Sequence, residues 1–159
     1  MPVWLNLLLF QLAWLAAVLW QSPWAVAALL ALHLALSPKR RNDALLMAAL
    51  VLAGLAVDGS LSAAGVLDFG PGPWPVPPWL LALWAAFGML PNHGLAWLKT
   101  RPWLAAVLGA LGGPFAYWAG VRLGAVSFGW PLGSSLAVLA LVWALLLPLL
   151  MRRGTGSLS

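Results

Sequence analysis

Apolar residues in this chain come in long, nearly unbroken runs, without the alternation of a half-buried strand. Six runs stand out: Trp4–Trp20, Pro23–Ser37, Asn42–Asp58, Pro78–Leu98, Pro102–Gly124 and Pro131–Met151. Four of them open with proline, which suits the first turn of a helix, where the missing N–H would have had no partner. Lipid offers no water to unpaired backbone groups, and a closed barrel would need alternating strands, so helices are the structure these runs predict. The predicted fold is therefore all-α: a polytopic membrane bundle of six transmembrane helices. It forms a single domain over residues 1–153, followed by a disordered tail over 154–159.

The second and third runs are short, roughly 15 to 17 residues or about 22 to 26 Å at helical rise. A re-entrant hairpin would place their connector, Ser37-Pro38-Lys39-Arg40-Arg41-Asn42-Asp43, inside hydrocarbon. Each of its three cations would cost at least about 2.5 kcal/mol there. Two short crossings are the better solution. Placing Lys39, Arg40 and Arg41 in the cytoplasm also puts Lys99, Arg101, Arg152 and Arg153 there, leaving Arg122 outside. Both chain ends are then cytoplasmic. The tryptophans agree, with Trp4, Trp97 and Trp103 at inner ends and Trp20, Trp24, Trp74, Trp79 and Trp130 at outer ends. The loop from Gly59 to Pro77 faces outward. Its proline-rich end, Phe69 to Pro78, predicts an extended, partly apolar flap over the outer face.

Composition narrows the function. The 159 residues are 64% hydrophobic and 7% charged, against about a quarter charged in an ordinary soluble domain. Zero cysteines exclude a disulfide framework, a thiolate metal site and a cysteine nucleophile. The net charge of +5 sits in short clusters between apolar runs, which reads as topogenic charge and not as a nucleic-acid stripe. The first run lacks a basic leader and is followed by another apolar run, so it reads as a retained span.

Polar groups inside a span are costly, and each needs a reason. Toward the inner side lie Asn6, His33, Asp43, Asn92 and His93. Toward the outer side lie Asp58, Tyr117 and Arg122, with Gln11 near mid-membrane. These are the candidate ligand-binding residues. His33, His93 and Asp43 are of the types that bind metal or run acid–base chemistry. No i, i+4 pair on one helix enforces a metal geometry, so the preferred reading is hydrogen bonding between helices. No metal and no cofactor are assigned. Arg122 is expected to pair with Asp58 at similar depth, and with Tyr117 the two could line a small cavity for a lipid headgroup. In the fifth run Gly109, Gly113, Gly120 and Gly124 form a smooth stripe suited to close helix packing. Pro114, beside Gly112-Gly113, removes one backbone bond near mid-membrane and is expected to kink the helix.

Several motifs resemble a known family. They are Asn6 and Phe10-Gln11-Leu12-Ala13-Trp14; Asp58-Gly59-Ser60-Leu61 before Gly65 and Phe69; and Pro78-Trp-Leu-Leu-Ala-Leu-Trp84 with Phe87. Asn92-His93-Gly94-Leu95-Ala96-Trp97-Leu98 and Gly112-Gly113-Pro114-Phe115-Ala116-Tyr117 follow, with Ala119-Gly120 and Leu123-Gly124-Ala125. On these the chain resembles the DUF2878 family of bacterial inner-membrane proteins, over nearly its whole length. Where such proteins tend to carry Thr or Leu before the Asn-His pair, Pro91 stands here and loosens the helix around Asn92 and His93. The family name denotes unknown function. The resemblance implies a membrane fold and a lipid-related role, such proteins being often encoded near enzymes that modify membrane fatty acids. It assigns no catalytic residue.

Three functions fit these readings. The first is a non-enzymatic protein that binds membrane lipids, or supports a membrane protein partner in envelope lipid modification. The second is a lipid-modifying enzyme using the inner or the outer polar group. The third is a small transporter with a midplane pocket bordered by Gly112–Pro114. Convergence of His33 and His93 in space is what the enzyme requires.

Overall fold

The structure is a computed structural model and describes residues 1–72 and 74–153; Pro73 and the tail 154–159 lie outside the described residues. Among these are six α-helices: α1 Val3–Trp20, α2 Pro23–Leu36, α3 Arg40–Ala63, α4 Pro78–Phe87, α5 Pro102–Arg122 and α6 Leu132–Arg153. Four of them, α1, α3, α5 and α6, are long and apolar enough to cross a membrane. At 1.5 Å per residue the 14 residues of α2 and the 10 of α4 fall short of a hydrocarbon core about 30 Å thick. The outside of the bundle is that of a membrane protein. Leu52 and Leu145, in the middles of α3 and α6, are 68% and 71% exposed, where a water-soluble surface would carry polar groups.

The predicted fourth helix, continuous from Pro78 to Leu98, does not form. It stops at Phe87, and a 3-10 turn, Ala96–Thr100, follows after an irregular stretch. The cause is Pro91, whose ring has no N–H for the Phe87 carbonyl and would clash with it. That carbonyl instead accepts from Leu90 N at 3.1 Å, a tighter i to i+3 bond. Gly88 sits at the break, where a Cβ would lie 2.8 Å from the Met47 backbone, so α3 can pass close. The third helix departs from expectation the other way. It runs on to Ala63, which places Asp58 inside the helix and not at its end.

Helix ends sort the charges. A two-residue antiparallel ribbon, β1 Leu67–Asp68 with β2 Ser127–Phe128, ties the C-terminal ends of α3 and α5 together. Both helices therefore begin at the opposite end, where α6 also finishes. Lys39, Arg40, Arg41, Lys99, Arg101, Arg152 and Arg153 all belong to this basic end, and Arg122 to the ribbon end. Over the ribbon end Val76 is buried and Phe69 meets the Trp79 ring, 6.5 Å between centroids, so the flap packs down on the bundle.

The core is aromatic at its centre. Trp84 stacks on Trp143 at 5.3 Å, and Phe87 lies 5.2 Å from Trp143 and 5.0 Å from Phe10. Gly54 makes room for this group, since a Cβ there would collide with the Trp84 ring. Gly109 and Gly113 do the same for α6: a Cβ at either would run into Trp143. A Cβ at Gly120 would meet Val126 at 3.4 Å. Gly124 leaves the stripe. It follows the end of α5 with φ +81°, and its absent Cβ would meet nothing, so it serves the turn and not the packing. α5 continues through Pro114 as one helix.

Candidate functional site

Three features compete for function: a polar cluster at the basic end, a polar pair toward the ribbon end, and an apolar cavity between α1 and α5.

The polar cluster is built on Asp43, in the first turn of α3. His33 Nε2 lies 3.1 Å from Asp43 Oδ2, His93 Nε2 2.9 Å from the same oxygen, and Ser37 Oγ donates to it at 2.5 Å. Asn92 Nδ2 donates to the other oxygen, Oδ1, at 2.8 Å. The two imidazole centroids are 5.3 Å apart and the rings meet edge to face. His33 and Asp43 are fully buried. Three local causes bring these groups together. His33 sits in the last turn of α2 and faces inward. The short α2–α3 turn, fixed by Lys39 N donating to Ser37 Oγ at 3.0 Å, folds Ser37 back over Asp43. The break after Phe87 then swings His93 in from the third direction. The histidines are on separate spans, yet tertiary packing supplies the convergence that helical spacing alone does not.

A cation is relayed into this cluster by an amide. Lys99 Nζ donates to Asn92 Oδ1 at 2.9 Å, which orients Asn92 so that its NH2 points at Asp43. Partial burial and the nearby Lys39 hold the Lys99 amine below its ordinary range, against the pull of Asp43. Sequence reasoning missed Ser37 and Lys99, which read as connector residues. The signal was there: an uncharged hydroxyl six positions before a carboxylate that must find partners.

Asn6 ties α1 to the broken fourth segment. Its Nδ2 donates to the Met89 carbonyl at 2.9 Å and its Oδ1 accepts from Gly94 N at 2.8 Å, so the side-chain amide replaces the backbone partners lost at the break. Gly94 must be glycine for this approach, because a Cβ would sit 2.7 Å from that oxygen.

Toward the ribbon end, Asp58 is fully buried and accepts from Tyr117 Oη at 2.6 Å and Trp84 Nε1 at 2.7 Å. The expected Arg122 partner is absent. Arg122 is exposed, with its guanidinium over the Trp118 ring at 5.9 Å, and so meets the surroundings at the helix end. Two neutral donors within the bundle outcompete a cation that would have to leave the exposed helix end. Trp84, which the sequence marked only as the end of the family-like motif Pro78–Trp84, is the missed member.

The cavity measures about 450 Å³. α1 contributes Leu7, Phe10, Gln11 and Trp14, α4 contributes Leu83, Trp84 and Phe87, and α5 contributes Gly112, Gly113, Phe115 and Tyr117. Leu7, Gln11 and Phe115 are exposed while lining it, so it opens on the flank between α1 and α5. A pocket does border Gly112–Gly113, as a transporter would need, and apart from Gln11 and Tyr117 its walls are hydrocarbon and aromatic rings.

A family model for a protein of unknown function, DUF2878, matches residues 3–149. The chain belongs to the DUF2878 family. No curated protein and no solved structure matches the chain. For this DUF2878 protein, then, chemistry has to be argued from its own groups.

Proposed function

We propose that this protein crosses the bacterial inner membrane six times, both ends cytoplasmic, and acts as a lipid-binding or accessory protein in envelope lipid modification. The flank cavity carries this reading. Its volume lies within the ordinary range for small-molecule sites, roughly 300 to 1,000 Å³, and it opens among exposed apolar side chains on the flank of the bundle. Lipid tails are as apolar as the cavity walls, so burial of hydrocarbon drives no chain inward; selectivity rests on shape against the Phe10, Trp84 and Phe87 rings. The short α2 and the broken fourth segment support crossings in which basic ends snorkel to one boundary.

The test is to fill the space. Gly112 lines the cavity and a Cβ there would touch nothing within 4 Å. Gly112→Leu should fold at least as well as wild type, since leucine gains about 1 kcal/mol over glycine in a helix. Native mass spectrometry of the purified protein should find its lipid adducts reduced about tenfold, or roughly 1.4 kcal/mol of binding. Equal lipid retention by the filled variant would sink the reading.

A second reading, a lipid-modifying enzyme, is favoured by the convergence of His33, His93 and Asp43 within hydrogen-bonding distance. An unaltered membrane lipid profile in cells carrying a stably produced His93→Ala protein counts against it.

A further inference from the structure

We infer that His33, Asp43 and His93 form a binding site for a divalent transition-metal ion of the zinc class. The ligand atoms are His33 Nε2, His93 Nε2 and Asp43 Oδ2, all within 4.8 Å of one another. A tetrahedral ion bound at about 2.1 Å separates its ligands by roughly 3.4 Å. Two of the observed separations, 3.1 and 2.9 Å, are already close to that, so an ion enters with sub-ångström adjustments.

Several details favour an ion over hydrogen bonds alone. Three groups crowd one oxygen, Oδ2, while Oδ1 is occupied by Asn92; the carboxylate is thus turned with one face held and the other converged upon. Both imidazoles present the same nitrogen to the same point. Two imidazoles with one carboxylate select zinc, cobalt or nickel over magnesium or calcium, which prefer all-oxygen shells. Asn92, oriented by Lys99, supplies the outer support that metal-ligating carboxylates require. The Ser37 hydroxyl, 3.3 Å from His93 Nε2, marks the fourth position. His93 is slightly exposed and gives the ion a path from the basic end. His33 Nδ1, by contrast, is buried with no hydrogen-bond partner. One outer support is missing, so the ion is exchangeable and not locked in as in a structural zinc site.

The experiment uses tag-free protein in detergent, treated with chelator and titrated with Co²⁺ alone. Wild type should bind about one equivalent and develop the intense visible bands of a tetrahedral site, which Zn²⁺ displaces and chelator abolishes. His93→Ala, at the accessible edge, should lose the bands. Asn92→Ala should keep them but weaken affinity by about 10- to 100-fold. Wild-type protein without bands overturns the site, as does a His93→Ala protein with unchanged bands. If Asp43→Asn fails to fold, the wild-type and His93→Ala titrations still decide. Lipid retention is measured separately and does not depend on this outcome.

Discussion

Asp43 and Asp58 are both fully buried on the same helix, yet their surroundings have little in common. Asp43 gathers two imidazoles, a hydroxyl and an amide, and connects through Asn92 to a lysine at the basic end. Among the described residues Asp58 accepts from an indole and a phenol, both anchored in the bundle. The first environment has ligand atoms to spare and a path to water. The second uses every hydrogen to close the carboxylate in. Burial of an acid thus does not by itself mark a site; the chemistry of its partners does.

Removing the partners tests that contrast. The largest effect belongs to Asp43→Ala, which strands four polar groups in a buried place. It should cost about 3 to 5 kcal/mol in reversible unfolding from mild detergent. Tyr117→Phe takes one hydrogen-bond donor from Asp58 and should cost about 2 kcal/mol by the same measurement, with metal binding untouched. A greater loss from Tyr117→Phe than from Asp43→Ala would invert the comparison. Arg122→Ala should change stability by no more than about 0.5 kcal/mol, because the side chain is exposed and reaches neither carboxylate. A larger effect would restore the ion pair with Asp58 that the structure replaces with Trp84 and Tyr117.

Hydropathy made most of the helices legible, since an apolar run in lipid has few alternatives to a helix. It also sorted the basic residues to one end, as the structure does through its helix termini. It failed where one residue overrode the run. Leu90 and Met89 are apolar enough to continue the fourth helix, but Pro91 ends it, and the clue was the departure from the family pattern at that position. The candidate site was legible as residue types. His33, His93 and Asp43 could be named, but their meeting depends on a turn at Ser37 and a break after Phe87, neither of which has a periodic signature. The Arg122 expectation failed for a different reason. Depth along a helix gives no direction around it, and Arg122 faces outward while Tyr117 faces Asp58.

The Asn6 staple has a consequence for biosynthesis. Its partners, Met89 and Gly94, are made long after the first helix has left the ribosome. Until then Asn6 lacks both of these partners, and the broken segment, once made, relies on it at the Met89 carbonyl and Gly94 N. Satisfaction of the Asn6 amide in α1 and closure of the interrupted segment are therefore one event. Splitting the chain between α3 and α4 should give two fragments that persist only when expressed together.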